Sequence, residues 1–499
     1  MKLMKATPAR TVYLVLGAIV LLAALLRAFA VVFEPPHHPD EYFQYLEPAW
    51  LRLQGVGVET WEWRDGVRSW FLPGYHGAWM ALFLRLGVHN GRAIITILHV
   101  HWALLSLSLV WAGWRGGALL ARWPERKTAP TAPSPPTAPT AVDESLPPAG
   151  WQGGLIGAFL CATFPLLVRF SVHTFSELAS ILCLVCALVL AGELAERGGP
   201  IRRTKVVLLG LLLGLGFCLR IQHATVPLFA GLWLLWTRRF RVLLWTFAIA
   251  LVPVFFFGLL DRLTWGEFFG SYIRYLKFNL VQGGAAMFGT LPSSWYWQQF
   301  LSRLPISLSV LGLVCLLGLR SNWPFVGSAV GLLLLLSTQG HKEERFAMLC
   351  WPLVLIALAG TMGGWLQLVR SCSSQIRWSV RRGVAVVLAL VLVDGGLNCK
   401  GNDFTDLHAE RFAAQAWIAR QPDVTGLLYD QPFYVPGYMG FSHSFPQLEA
   451  RTSLLSNPLF SHVLVPRHSG LAGEAERAGF TQVFSVGDFV VLHRTTEPN

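Results

Sequence analysis

A chain of 499 residues that is 54% hydrophobic and only 14% charged, with 21 Trp and 32 Phe, lies outside the range of water-soluble globules. Its mean hydropathy of +0.49 and its recurring apolar runs of about 20 residues, the length that crosses a bilayer core, read as a polytopic helical membrane protein. The 40 Lys and Arg exceed the 28 Asp and Glu by 12, but they stand in short clusters between apolar runs. That is the signature of cytoplasmic loops and argues against nucleic-acid binding.

In chain order, the first apolar run, 11–33, follows Lys2, Lys5 and Arg10. It is longer than a signal-peptide core and lacks a small-residue cleavage site before Glu34, so it reads as a first span with the amino terminus in the cytoplasm. The stretch 70–86, with Pro73, Gly74, His76 and Arg85, reads as a surface or re-entrant helix, because a full crossing there would invert every later basic loop. Further spans are expected near 93–112, 151–170, 178–195, 205–220, 224–237, 242–260, 304–320, 323–339, 345–363 and 383–396, about eleven in all. The Pro, Ala and Thr tract 128–149 reads as a disordered cytoplasmic loop. Cys183 and Cys186 form a C-x-x-C in mid-span and read as buried apolar packing; the eight cysteines form no disulfide framework.

Past 397 the apolar density falls. Strands are expected at 427–430, 462–466 and 482–493, with helices near 408–420 and 471–478. The chain thus divides into a transmembrane domain, 1–396, and a small extracytoplasmic α/β domain, 397–499. No N-x-S/T sequon occurs, which favours a source that does not N-glycosylate outer loops.

Three polar segments sit at outer boundaries. In His38-Pro39-Asp40-Glu41 a carboxylate is placed to act as a general base or to bind a cation; alternatively both acids cap a short helix. In Gln339 to Phe346, five consecutive ionisable residues stand beside hydrocarbon. His341, Lys342 and Arg345, with Glu343 among them, suit a phosphate or diphosphate, or else snorkel to lipid headgroups. The loop 261–299 sets Arg274, Lys277 and Asn279 among Trp, Tyr and Phe, a platform for a sugar and a lipid phosphate or an ordinary aromatic belt. Further outer-side candidates for substrate contact are Trp61, Glu62, Trp63 and Arg68, the group His173, Thr174, Ser176 and Glu177, and Arg220 with Gln222 and His223. All converge on one face of the membrane, so the active face is outside.

HPDEYFQ at 38–44, TWEW followed by RS at 60–69, HTFSE at 173–177, YLKFN at 275–279, FGTLPSSWYW at 288–297 and HKEERF at 341–346 lie in the order found in a known family. Together they make the chain resemble the polytopic GT-C mannosyltransferases of glycosyltransferase family 22, which act in dolichol-linked oligosaccharide and GPI-anchor assembly. The WEW and KFN blocks lean towards the GPI branch. The resemblance implies a GT-C fold and transfer of mannose from a polyprenyl or dolichyl phosphate mannose to a lipid-linked glycan, with inversion and no cofactor. It places the enzyme in a bacterial inner membrane or the endoplasmic reticulum, with the active site periplasmic or lumenal.

The same resemblance implies that Asp40 is the base and Glu41 positions it or the acceptor, and that His341, Lys342, Arg345 and Lys277 neutralise the leaving phosphate. It departs at Glu177, where the family usually has Asn. A flippase for a lipid-linked sugar is the rival from another class; it predicts polar residues near mid-membrane and internal pseudo-repeats, and the sequence displays neither. A structural subunit of a glycosylation complex would leave Asp40 dispensable.

Overall fold

The computed structural model describes residues 9–33, 38–122, 147–196, 201–303, 318–398, 409–430, 437–441 and 445–494. Nearly all of the expected loop 128–149 and of the expected span 304–320 lies outside them. Among the described residues, five helices are long and apolar enough to cross a membrane: Ala9–Phe33, Gly91–Ala121, Ser176–Ala195, Phe240–Trp265 and Glu344–Ser371, with Ser321–Ser337 a shorter apolar helix. None of the six cysteines among the described residues is in a disulfide.

Several expected spans are shorter than their apolar runs. The run 151–170 forms Trp151–Thr163 and Pro165–Phe170, because Pro165 pushes Phe164 into an extended conformation and stops the first helix. Arg203–Leu219 ends at Arg220, which is also extended. The stretch read as interfacial forms Phe71–Arg85, 15 residues or about 22 Å.

The outer helices are apolar on their exposed sides. Leu14, Leu21, Leu25 and Phe29 of the first helix and Leu244, Phe247, Leu251 and Phe255 of Phe240–Trp265 all face outward, at spacings of three, four and seven that form one stripe. Ser176–Ala195 and Cys350–Leu368 are buried along most of their length and form the centre. Beside them Ser108–Ala121 and Trp151–Thr163 approach until their backbones touch. A Cβ on Gly113 would lie 2.3 Å from the Gly157 carbonyl oxygen, and one on Gly153 would lie 2.5 Å from that of Gly117. Two facing G-x-x-x-G patterns permit this, and the tight packing is what holds helices together where no hydrophobic effect drives them.

Arg27, buried on the first helix, donates from Nε to Ser106 Oγ at 2.7 Å and from its terminal nitrogens to the carbonyls of Ala162 and Cys161 at 3.2 and 3.3 Å. It thereby caps the carbonyl end of Trp151–Thr163.

The carboxy-terminal sheet has five strands, β1 (Leu427–Tyr429), β2 (Gln447–Glu449), β3 (His462–Pro466), β4 (Phe480–Val486) and β5 (Phe489–Arg494), in the order β2-β1-β3-β5-β4. β1 is parallel to β2 and β3, and the β3, β5 and β4 pairings are antiparallel. Ala409–Ile418 and Gly470–Arg477 are its helices. β2 was not expected from the sequence.

This module is fastened to the helical domain at Glu47 and Arg92. Glu47, fully buried at the start of Glu47–Gln54, accepts backbone N–H bonds from Val58 at 3.1 Å, Tyr438 at 2.7 Å and Met439 at 3.2 Å. Arg92 adds donations to the carbonyls of Gly440 and Ala416 at 2.9 and 3.2 Å. Burial pushes Glu47 up to about 7 against the pull of its three N–H donors. A carboxyl raised on folding contributes full stability below its ordinary value near 4.5 and loses it as pH rises through the folded value. The thermal midpoint of the detergent-solubilised protein is therefore expected to fall between about pH 4.5 and about pH 7, and to fall less in Glu47→Gln; equal slopes would remove Glu47 as the cause.

Candidate active site

The site is built on the turn at 38–46. Pro39 fixes its entry, the Glu41 N–H donates to the His38 carbonyl at 3.1 Å, and the Glu47 N–H reaches back five residues to Tyr42, a widened turn of the kind found at functional sites. Adjacent residues on a helical turn point about 100° apart, and here that splits the two acids between different environments.

Glu41 turns inward and is 0% exposed. Its Oε1 accepts from the Thr174 N–H at 2.9 Å and lies 3.1 Å from His99 Nε2, while Oε2 lies 3.1 Å from His173 Nδ1. Burial alone would raise this carboxyl, but the imidazoles of His173 and His99 hold it well below the usual range. Glu41 thus anchors the turn. Both of its carboxylate oxygens are taken by partners inside the protein.

Asp40 turns outward and pairs with Arg345 Nη2. Arg345 is 4% exposed and sits on the short turn Glu344–Ala347. Its Nε also meets Glu343 Oε2 at 2.5 Å and lies 3.8 Å from Glu177 Oε1, and its charge rests over Phe175 and Phe346 at 5.1 and 5.3 Å. His38 accepts the Asp40 N–H at 3.1 Å and stands 3.5 Å from Glu343, which also binds His341 at 2.9 Å. Burial raises Asp40, but Arg345 and then His38 bring it below its ordinary value. Glu343 is likewise held well below, against burial, by Arg345 and its bond from His341, and that same bond raises His341.

Beyond Glu177 the cluster opens on a cleft lined by Gln44, Arg68, Ser176, Arg220, Gln222 and Tyr275 among others. Arg220 pairs with Glu177 at 2.8 Å and lies over Phe346 at 4.9 Å. Arg68 donates to Glu62 at 3.0 Å and lies over Tyr275 at 5.7 Å. Glu62 also accepts from Gln44 at 3.3 Å; burial raises its carboxyl even against Arg68. Trp61 packs on Phe278 at 4.8 Å and stacks on Phe288 at 6.3 Å, which forms a small aromatic wall.

The expected residues therefore divide. Asp40, Glu343, Arg345 and His341 form one connected cluster, and Glu177 ties it to Arg220 and the cleft, where Arg68 also stands, held by Glu62. Lys342 does not join them: its amine is buried and donates to the backbone carbonyls of Leu291, at 3.1 Å, and Gln339. It staples two loops, where it had been expected to face a phosphate. Lys277 is exposed on the turn Lys277–Val281, and Asn279 donates to the Tyr275 carbonyl at 2.9 Å within its own turn; no contact among the described residues joins either to Asp40. The sequence reading passed over His38 and His99. His99 carried a signal, a histidine inside an apolar run expected to span the membrane.

His38, Asp40 and Glu343 bring ligand atoms within 4.8 Å of one another, but Arg345 already pairs with both carboxylates, so a cation there has to displace a guanidinium. Glu41→Gln keeps the shape while weakening two buried charged hydrogen bonds, worth about 1.5–3 kcal/mol each. A clear drop in the thermal midpoint is expected, and an unchanged midpoint would deny Glu41 its anchoring role.

The family profile described as the Alg9-like mannosyltransferase family matches residues 18–397. Among curated proteins, GPI mannosyltransferase 3 of Yarrowia lipolytica is 26% identical over 85% of this chain and 74% of its own length. Mannosyltransferase APTG1 of Arabidopsis thaliana is 24% identical over 66% of this chain and 55% of its own, so the chain spans little more than half of that relative. Among solved structures, ArnT from Cupriavidus metallidurans bound to undecaprenyl phosphate superposes with a TM-score of 0.62 at 12% identity, covering 97% of this chain and 99% of that one. That likeness is one of fold: the architecture is that of a polytopic GT-C membrane glycosyltransferase.

Proposed function

Because this chain belongs to the Alg9-like mannosyltransferase family, we propose that it transfers mannose from a polyprenyl phosphate mannose, dolichyl in a eukaryote, to a lipid-linked glycan on the lumenal or periplasmic face. A mannose-bearing core of the GPI kind is the acceptor to which the relatives' names point. The observation that carries the reading is the Asp40–Arg345 ion pair behind a cleft lined by two more guanidiniums, Arg68 and Arg220.

Asp40 takes the proton of the acceptor hydroxyl as its oxygen attacks C1 of mannose, and the bond from C1 to the phosphate oxygen breaks. One base and one displacement give inversion, so a β-linked donor yields an α-mannoside. The lipid phosphate needs no acid to leave, only compensation of its charge. Arg220 and Arg68 supply this from the cleft, with Arg345 and His341 behind them, and the aromatic wall of Trp61, Phe278 and Phe288 offers the sugar a face.

The charges make donor binding an exchange. Arg68, Arg220 and Arg345 are all paired with carboxylates, namely Glu62, Glu177, Glu343 and Asp40. An incoming phosphodiester must take a guanidinium from an acid. When it draws on Arg345, Asp40 loses the cation that depresses its pKa and becomes a stronger base. The base is thus held in reserve until the donor is seated.

Membranes carrying the wild-type chain and Asp40→Asn at matched expression, given labelled polyprenyl phosphate mannose, test the assignment. The substitution is expected to cut product by about 10²-fold or more, and equal product would remove Asp40 from the chemistry. Arg220→Ala is expected to raise KM for the donor about tenfold, whereas Lys342→Ala leaves donor KM unchanged at a reduced thermal midpoint. The reverse pattern would return the phosphate to Lys342.

A further inference from the structure

A second constellation of metal-ligand type lies in the carboxy-terminal module, apart from the cleft and its arginines. His462 on β3 and His493 on β5 are direct cross-strand partners, and their rings stand 4.6 Å apart. Asp423, in the turn between Ala409–Ile418 and β1, places Oδ2 3.2 Å from His493 Nε2. One ligand atom from each of the three residues falls within 4.8 Å of the others. We propose that Asp423, His462 and His493 form a divalent transition-metal site, best suited to zinc, that staples the turn before β1 to strands β3 and β5.

The geometry and the donor set support this. Around a tetrahedral zinc with bonds of about 2.0–2.1 Å, neighbouring ligand atoms lie about 3.3–3.4 Å apart. The Asp423–His493 edge already has nearly that length, and the rest of the triangle closes with side-chain shifts of an ångström or so. Two imidazoles and a carboxylate suit zinc and leave a fourth position for water. His462 is 1% exposed, and its Nδ1 stands 2.9 Å from Ser461 Oγ, which in turn accepts the Thr425 N–H at 2.9 Å. With its Nδ1 hydrogen on that hydroxyl, the ring presents a lone pair at Nε2, the outer-shell arrangement that orients metal-bound histidines. An ordinary ion pair accounts for Asp423 and His493, but it gives no reason for a second, buried imidazole against the first.

The test uses the full chain in detergent, purified through a tag without histidines, stripped with a chelator and then dialysed against zinc. Mass spectrometry of the metal content is expected to find about one zinc per chain, and zinc is expected to raise the thermal midpoint. Asp423→Asn, at an exposed position that the fold tolerates, and His493→Ala are each expected to weaken zinc binding about tenfold or more and to abolish the rise. Zinc at trace level in the wild-type chain, or zinc retained in both variants, would overturn the proposal. So would zinc lost on Glu343→Gln, because that result places the ion at His38, Asp40 and Glu343.

Discussion

Arg345 is a fixed positive charge with almost no access to water, and the site is arranged around satisfying it. A buried guanidinium left unpaired costs several kcal/mol, so Glu343, Asp40 and, at 3.8 Å, Glu177 are held near it by mutual need. Those acids come from three distant segments, 38–46, 173–177 and 341–346, each at the end of a different helical region. The charge network therefore fixes how these segments meet. Glu177 connects it to Arg220 and so to the cleft. A carboxylate that looked like a departure from family pattern is the electrostatic link between the Asp40–Arg345 pair and the cleft.

The rigidity behind that network comes from packing. Arg345 lies just before Cys350–Leu368, a helix buried along most of its length, and Glu177 opens the equally buried Ser176–Ala195. Charges rooted in such helices keep their directions when substrate arrives, and a preorganised environment need not reorganise as charge develops in the transition state. The glycine contacts between Ser108–Ala121 and Trp151–Thr163 give a similar stiffness beside this core, because no side chain intervenes to yield.

Much of this was legible in the sequence, for a physical reason. Ionisable residues beside apolar runs are costly, so HPDE at 38–41 and HKEER at 341–345 stood out without any structure. Strands β1 and β3 and both helices of the carboxy-terminal module announced themselves by pattern; the single strand expected over 482–493 is two, β4 and β5, turning at 487–488, and β2, three residues with only Gln447 buried, is too short for alternation to register. What the sequence left undivided was direction. Which of Asp40 and Glu41 turns inward is decided by His99 and His173, which approach from a remote helix and a remote turn. Whether the Lys342 amine is engaged is decided by where the carbonyls of Leu291 and Gln339 lie. Neither is a property of local sequence. The broken run 151–170 was readable from Pro165 and was missed by weighing apolarity above backbone stereochemistry.

The carboxylate of Glu47 joins two parts of the molecule that the sequence divides into separate domains. It stands seven positions after Asp40 on one nearly continuous helical run that ends at Gln54, and it grips the backbone at Tyr438 and Met439. One helical run thus carries Asp40 at its start and a hold on the carboxy-terminal backbone in its middle, so the two parts of the chain share a single structural element.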